Sequence, residues 1–238
     1  MEQRELAYEG KAKKMFATDD PATMLVEYKN SLTAFNAQKK DSLEGKGELN
    51  NRISARLFTF LAEEGIPNHF IKILDDTHQL VRRVRILPVE VVVRNITTGT
   101  LCKRLGVPEG VTLERPLVEF YLKDDELGDP LITEDHATLF GWANEEQIAK
   151  IKHIATSVNA ILGRFFDKKG IILVDFKLEF GIDSAGDLLL ADEISPDTCR
   201  FWDKETKKKL DKDRFRKDLG DVLGAYREIW SRISGEGI

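Results

Sequence analysis

Between Leu173 and Gly181 the chain reads Leu173-Val174-Asp175-Phe176-Lys177-Leu178-Glu179-Phe180-Gly181. Side chains of a strand alternate between its two faces. Val174, Phe176, Leu178 and Phe180 are therefore expected on one apolar face, and Asp175, Lys177 and Glu179 on the other. Three neighbouring charges are costly to take out of water without partners. An edge strand with a solvated charged face would avoid that cost. The run that opens the stretch, Ile171-Ile172-Leu173-Val174, instead reads as a buried strand. A buried strand with Asp, Lys and Glu on one side suits a metal–phosphate site.

Four further segments carry candidate chemistry. In Tyr8-Glu9-Gly10-Lys11-Ala12-Lys13, one glycine permits close backbone approach and two lysines share a face, where they can meet phosphates. The segment has too few glycines for a P-loop, and by itself it also reads as an exposed strand with a solvated lysine pair. In Pro88-Val89-Glu90-Val91-Val92-Val93-Arg94, Glu90, Val92 and Arg94 share a strand face. Either Glu90 and Arg94 pair locally, or Arg94 joins Thr100, just after Gly99, on an anion. Lys103 and Arg104 follow. Ala191-Asp192-Glu193-Ile194-Ser195-Pro196-Asp197-Thr198-Cys199-Arg200 ends the return strand of a hairpin whose first strand is the opening stretch. It reads either as an ordinary acidic loop or as the second carboxylate of a Mg²⁺ site, with register deciding whether Asp192 or Glu193 faces Lys177. The polar segments 36–47 and 123–130 are either solvated connections or parts of a cleft rim.

The elements that must position these residues follow from periodicity and punctuation. Strands are predicted over residues 6–16 and 24–29 around Asp19-Asp20-Pro21, over 69–74 and 79–85, and over Val89–Arg94. A helix is predicted from Glu48 to Glu64, ended by Gly65 and Pro67, and a short one from Gly99 to Gly106. Asn144 caps a long helix with Glu145 and Glu146 in its first turn. Asp183–Gly186 turns the chain into the strand Leu188–Ala191, and a last amphipathic helix runs from Phe215 to Trp230. Strand-rich first and mixed afterwards, this is an α+β chain: a small N-terminal β lobe, residues 1–85, and a larger C-terminal lobe, residues 86–238.

Composition narrows the function classes. The 238 residues are 42% hydrophobic and carry a net charge of -5, which argues against a general nucleic-acid binder. No apolar run approaches membrane-spanning length, and the N-terminus lacks a signal-peptide core. Cys102 and Cys199 lack ligand-like spacing, so reduced thiols and a cytoplasmic location are expected.

Taken in order, these segments resemble the SAICAR synthetase family of purine-biosynthetic ligases. Two long signatures carry the resemblance, Leu87–Gly99 and Leu173–Gly181. Tyr8–Lys13, Glu44-Gly45-Lys46-Gly47, Asp129-Pro130 and Asp192–Asp197 support it over essentially the whole chain. One departure is Thr100, where the family usually has serine. The resemblance implies a two-lobed fold with an ATP-grasp or kinase-like nucleotide cleft. It also implies a reaction: ATP, the carboxylated aminoimidazole ribonucleotide CAIR and L-aspartate give SAICAR, ADP and phosphate. Its implied ATP site is Gly10, Lys11, Ala12, Lys13, Arg82, Glu90 and Lys123, with adenine near residues 82–90. Mg²⁺ would be held by Glu179 and Asp192. The CAIR phosphate would meet Arg94, Thr100 and Arg200, with Lys177 and Asp175 at the reacting carboxylate. Lys46 and Asp129 are candidates for aspartate. The small molecules are the expected partners, with no nucleic acid or membrane, and relatives imply a homodimer. An ATP-dependent kinase of a small phosphorylated metabolite is the alternative.

Overall fold

The computed structural model describes residues 3–34 and 39–235. Strands β1 (Gln3–Glu9), β2 (Lys13–Thr18) and β3 (Thr23–Tyr28) open the chain. The short pair β4 (Ser31–Ala34) and β5 (Lys39–Ser42) leads into helix α1 (Lys46–Glu63), followed by β6 (Phe70–Ile73) and β7 (His78–Arg82). The first sheet is antiparallel, in the order β1-β2-β3-β7-β6. The predicted single strand over residues 6–16 is two strands here: Gly10 turns the chain, its N–H donating to the Lys13 carbonyl at 2.9 Å.

After Arg82 the chain crosses to a second sheet. Its elements are β8 (Arg85–Ile96), α2 (Gly99–Leu105), β9 (Thr112–Leu122), β10 (Leu131–Ile132), α3 (Glu134–Leu139), α4 (Glu145–Asp167), β11 (Ile171–Ile182), β12 (Leu188–Ala191), β13 (Cys199–Asp203), α5 (Asp213–Arg216) and α6 (Val222–Ser234). The order is β10-β9-β8-β11-β12, and β13 also pairs with β11. β11 is thus an interior strand, with β8 along one edge and β13 and then β12 along the other. That removes the edge-strand reading of its charges.

The main core lies between this sheet and the helices. Leu87, Val89, Val91 and Val93 of β8 and Phe176, Leu178 and Phe180 of β11 pack with α1, α4 and α6. α4 starts as its sequence dictates: Asn144 accepts from the Gln147 N–H, and the Gln147 side chain accepts from the Asn144 N–H. Although α1 precedes the first sheet's last strands, its Leu49, Ile53, Leu57, Phe58 and Leu61 join this core. Burying each such side chain contributes about 1.5–3 kcal/mol.

Three sequence expectations are corrected. Val174 does not share the Phe176 face. The β11–β13 register shifts between Leu173 and Asp175, and Val174 packs instead with Ile172, Ile96 and Trp202. A bulge of this kind offsets the alternation by one residue. The predicted final helix is broken in two, because Asp218, Gly220 and Asp221 take positive φ values between α5 and α6. Finally, β9 and β13 occupy segments where no strand is predicted.

Candidate active site

Register brings the charged residues of four strands onto one face of the second sheet. Asp175 lies opposite Arg94, and Glu179 opposite Glu90. On the other edge Asp175 lies opposite Arg200, and Glu179 opposite Ala191. Asp192 follows Ala191 with φ 61, a left-handed conformation that costs energy in a residue other than glycine. That turn brings its carboxylate to Lys177, at 3.3 Å.

One half of this face is the floor of a cleft of about 610 Å³. Lys177 bonds Glu179, and Glu90 at 3.1 Å. Lys123 bonds Glu179 at 2.8 Å. Lys13 bonds Asp192 and lies 3.4 Å from Glu193. Burial works against the charge of Lys177, but Glu179, Asp192 and Glu90 hold its pKa well above the ordinary lysine value. Burial likewise works against the Asp192 carboxylate, and Lys13, Lys177 and Lys123 hold its pKa far below the usual range. Glu90 is pushed up, first by burial and also by Glu179. Met24, Val26, Val84 and Ile86 line the apolar part of the cleft, with Gly10, Lys11 and Ala12 also in its wall. Lys11 reaches Asp125 at 2.5 Å.

The other half is a buried arginine cluster. Arg94, 3% exposed, donates to Asp175 at 2.7 Å and to Glu119 at 2.7 Å. Its remaining nitrogen reaches Tyr121 at 3.2 Å and Thr100 at 3.3 Å. Arg200 donates to Asp175 at 2.8 Å and to Asp213 at 3.0 Å. Gly99, at φ +59, lies so close that a Cβ there would stand 2.6 Å from the Arg200 guanidinium. Only glycine fits that position without displacing the arginine.

Asp213 ties this cluster to the pH dependence of folding. Burial alone would raise its pKa, but the Arg200 and Arg216 guanidiniums bring it down to about 2. A carboxylate depressed in the folded state contributes stability above its unfolded pKa of about 3.9, and that stability is lost as pH falls toward 2. The contribution is about 2–3 kcal/mol. Between pH 6 and pH 2, Asp213→Asn should therefore lose about 2 kcal/mol less stability than the parent in denaturant titrations. An identical loss in both proteins would contradict this assignment.

The candidate residues divide as follows. Gly10, Lys11, Ala12, Lys13, Arg82, Glu90, Lys123, Asp129, Lys177, Glu179 and Asp192 line the cleft. Asp175, Arg94 and Arg200 form the arginine cluster, with Thr100 exposed at its rim. Lys46 does not line the cleft: it is 1% exposed and pairs with Asp197 at 2.5 Å. Of the segment 36–47, residues 36–38 lie outside the described residues, and residues 39–42 form β5. Sequence reasoning missed Glu119 and Tyr121, which brace Arg94, and His69 and Lys212, which line the cleft. The alternation Val118-Glu119-Phe120-Tyr121 was an available signal for the first two. His69 and Lys212 stand in no pattern that would mark them.

Glu179 and Asp192 offer oxygen donors at the cleft floor, the ligand type that Mg²⁺ takes. Among the described residues no group of three or more His, Cys, Asp or Glu side chains forms a metal cage.

An α+β fold with a lysine- and carboxylate-floored cleft beside buried arginines is of the class that can receive anionic, phosphate-bearing ligands. Comparison with known proteins makes the class specific. A family profile described as SAICAR synthetase matches residues 6–233. The chain is 58% identical over 231 residues to the phosphoribosylaminoimidazole-succinocarboxamide synthase of Bacillus subtilis, covering 97% of this chain and 96% of that protein. A SAICAR synthetase solved in complex with ADP is 52% identical, with TM-score 0.95 over 98% of this chain and 99% of its own. The crystal structure of the Ehrlichia chaffeensis synthase is 46% identical, with TM-score 0.95 over 97% of this chain and 98% of its own. The chain belongs to the SAICAR synthetase family.

Proposed function

We propose that the cleft and the arginine cluster together carry out the ATP-dependent ligation of CAIR and L-aspartate to SAICAR. Family membership carries the reaction itself, and the ADP complex of a relative supports nucleotide binding. The kinase alternative is not favoured. A carboxylate resists amine attack because its charge repels the nucleophile and oxide is a poor leaving group. Phosphorylation converts it to an acyl phosphate, which the aspartate amine attacks with loss of phosphate. Such chemistry needs alignment and charge neutralisation rather than a protein nucleophile.

The observation that supports the residue roles is the single polar face from Arg200 to Asp192, ordered by β11. Lys11, Lys13 and Lys123 bind the ATP phosphates, with Gly10 and Ala12 in the covering turn. Arg82 lies toward the nucleoside end, and Glu90 meets Lys177 and Lys123 beneath the phosphates. Glu179 and Asp192 hold Mg²⁺, which when bound neutralises charge on the phosphate oxygens. Arg94, Arg200 and Thr100 bind the CAIR phosphate. Lys177 meets the carboxylate being activated, and Asp175 fixes both arginines. Asp129 remains the rim candidate for aspartate, and Lys46 acts only through Asp197. The family resemblance also supports a cytoplasmic homodimer with a nucleotide-binding lobe over residues 1–85 and a substrate lobe over 86–238. No helix among the described residues is long and apolar enough to cross a membrane.

The test is a product assay. With ATP, Mg²⁺ and CAIR, phosphate release should require L-aspartate and yield the succinocarboxamide in equal amount. A phosphorylated metabolite accumulating without aspartate consumption would contradict the ligase.

A further inference from the structure

The connection from α2 to β9 folds back on the residues that precede α2. Gly106 and Gly110 take positive φ values on either side of Pro108 and Glu109. The Gly110 N–H donates to the Thr97 carbonyl at 2.8 Å, and the Thr97 hydroxyl donates to the Pro108 carbonyl at 2.7 Å. These bonds present Glu109 to Thr98. Thr98 is the N-cap of α2, yet its side chain makes no capping bond, the usual role of a threonine there. Its fully buried hydroxyl donates instead to Glu109 at 2.9 Å.

The same carboxylate meets two lysines from a distant part of the chain. Lys209 donates to one oxygen at 2.8 Å, and Lys217 donates to both, at 2.9 and 3.1 Å. These bonds, that to Lys209 foremost, bring the Glu109 pKa down to about 2. Lys209 is held over the Trp202 ring, 5.3 Å from its centroid. The Lys217 N–H donates to the Asp213 carbonyl at 2.9 Å. Both lysines thus belong to the segment whose Asp213 grips Arg200. A lone exposed ion pair contributes little. Here two ammoniums and a buried hydroxyl converge on one carboxylate.

Glu109 therefore ties together the two segments that build the arginine cluster. One brings Arg94, Gly99 and Thr100, and the other brings Arg200 and Asp213. Asp175 joins the two arginines within the sheet. Off the sheet, the Gly99 turn must stay against the Arg200 guanidinium, with Thr100 3.3 Å from Arg94. Thr98 immediately precedes that turn. We infer that Glu109 is a positioning residue for the CAIR phosphate: clamped by Lys209 and Lys217, it holds Thr98 and so sets Gly99 and Thr100 against the two arginines. The inference rests on the reading above, in which Arg94, Arg200 and Thr100 bind that phosphate.

Glu109→Gln keeps the shape and an acceptor for Thr98 but removes the charge that the lysines hold. The KM for CAIR should rise about fivefold, while kcat and the KM values for ATP and L-aspartate stay within about twofold. Thr98→Val breaks the link and leaves the lysine pairs. It should raise the CAIR KM by a similar factor, and combining it with Glu109→Gln should add little. Should Glu109→Gln fail to bind a non-hydrolysable ATP analogue, Lys217→Met decides by the same KM comparison. An unchanged CAIR KM would overturn the inference, as would equal rises in all three KM values or full additivity in the double variant. Arg94→Lys separates the inference from the reading beneath it. A CAIR KM raised in Arg94→Lys but unchanged in Glu109→Gln sinks the inference alone. A CAIR KM unchanged in Arg94→Lys sinks the assignment of the phosphate to the arginines.

Discussion

Lys177→Met is expected to lower kcat by about a hundredfold to a thousandfold, the range seen when one preorganised charge-stabilising group is removed. Lys177 stands among three carboxylates, Glu90, Glu179 and Asp192, where its pKa stays well above the ordinary value. Those carboxylates favour its charged form against the cost of burial. Its loss has two consequences. In the role proposed for Lys177, the γ-phosphoryl group and the acceptor carboxylate, both anionic, lose the ammonium that offsets their mutual repulsion. In addition, Glu90, Glu179, Asp192 and Glu193 are left with only Lys13 and Lys123. That excess of carboxylate favours divalent-cation binding and disfavours nucleotide phosphates. Steady-state kinetics with a Mg²⁺ titration reads both effects. A kcat within tenfold of the parent would show that Lys177 only balances charge on the sheet.

Arg94→Met should destabilise the fold by about 3 kcal/mol, because it removes one partner from buried ion pairs. Asp175 and Glu119, 3% and 8% exposed, would each keep one arginine, Arg200 and Arg104. The effect therefore falls at the lower end for a broken buried pair. In the role proposed for Arg94 at the CAIR phosphate, the same variant should also raise the KM for CAIR sharply. Arg94→Lys should recover part of the stability but little of the CAIR affinity, since an ammonium cannot make the same parallel contacts. Urea denaturation and the CAIR KM measure the two effects separately. A stability loss under about 1 kcal/mol would mean that the pairs contribute little net energy.

Much of this site was legible in the sequence because β11 and β8 alternate so regularly. Period two alone places Asp175, Lys177 and Glu179 on one face and Glu90 and Arg94 on another. What alternation does not give is register, and register decides that Asp192 faces Lys177. The Val174 error has the same root: a bulge leaves no mark in composition. β9 escaped notice because Glu114, Arg115 and Pro116 interrupt its apolar pattern, and with it went Glu119 and Tyr121. Lys46 shows the opposite failure. It lies in a polar, glycine-flanked segment that reads as a loop, yet it is buried within α1 on Asp197. Lys212 sits in a charged stretch, Lys207-Lys208-Lys209-Leu210-Asp211-Lys212-Asp213, in which nothing but the fold distinguishes it from its solvated neighbours.

The central claim is that this cleft activates a carboxylate by phosphorylating it. CAIR labelled with ¹⁸O in its carboxylate, incubated with ATP, Mg²⁺, L-aspartate and the enzyme, tests it most directly. An acyl phosphate requires one labelled oxygen to leave with each phosphate released, read by mass spectrometry of the inorganic phosphate. Unlabelled phosphate released together with SAICAR would contradict the account.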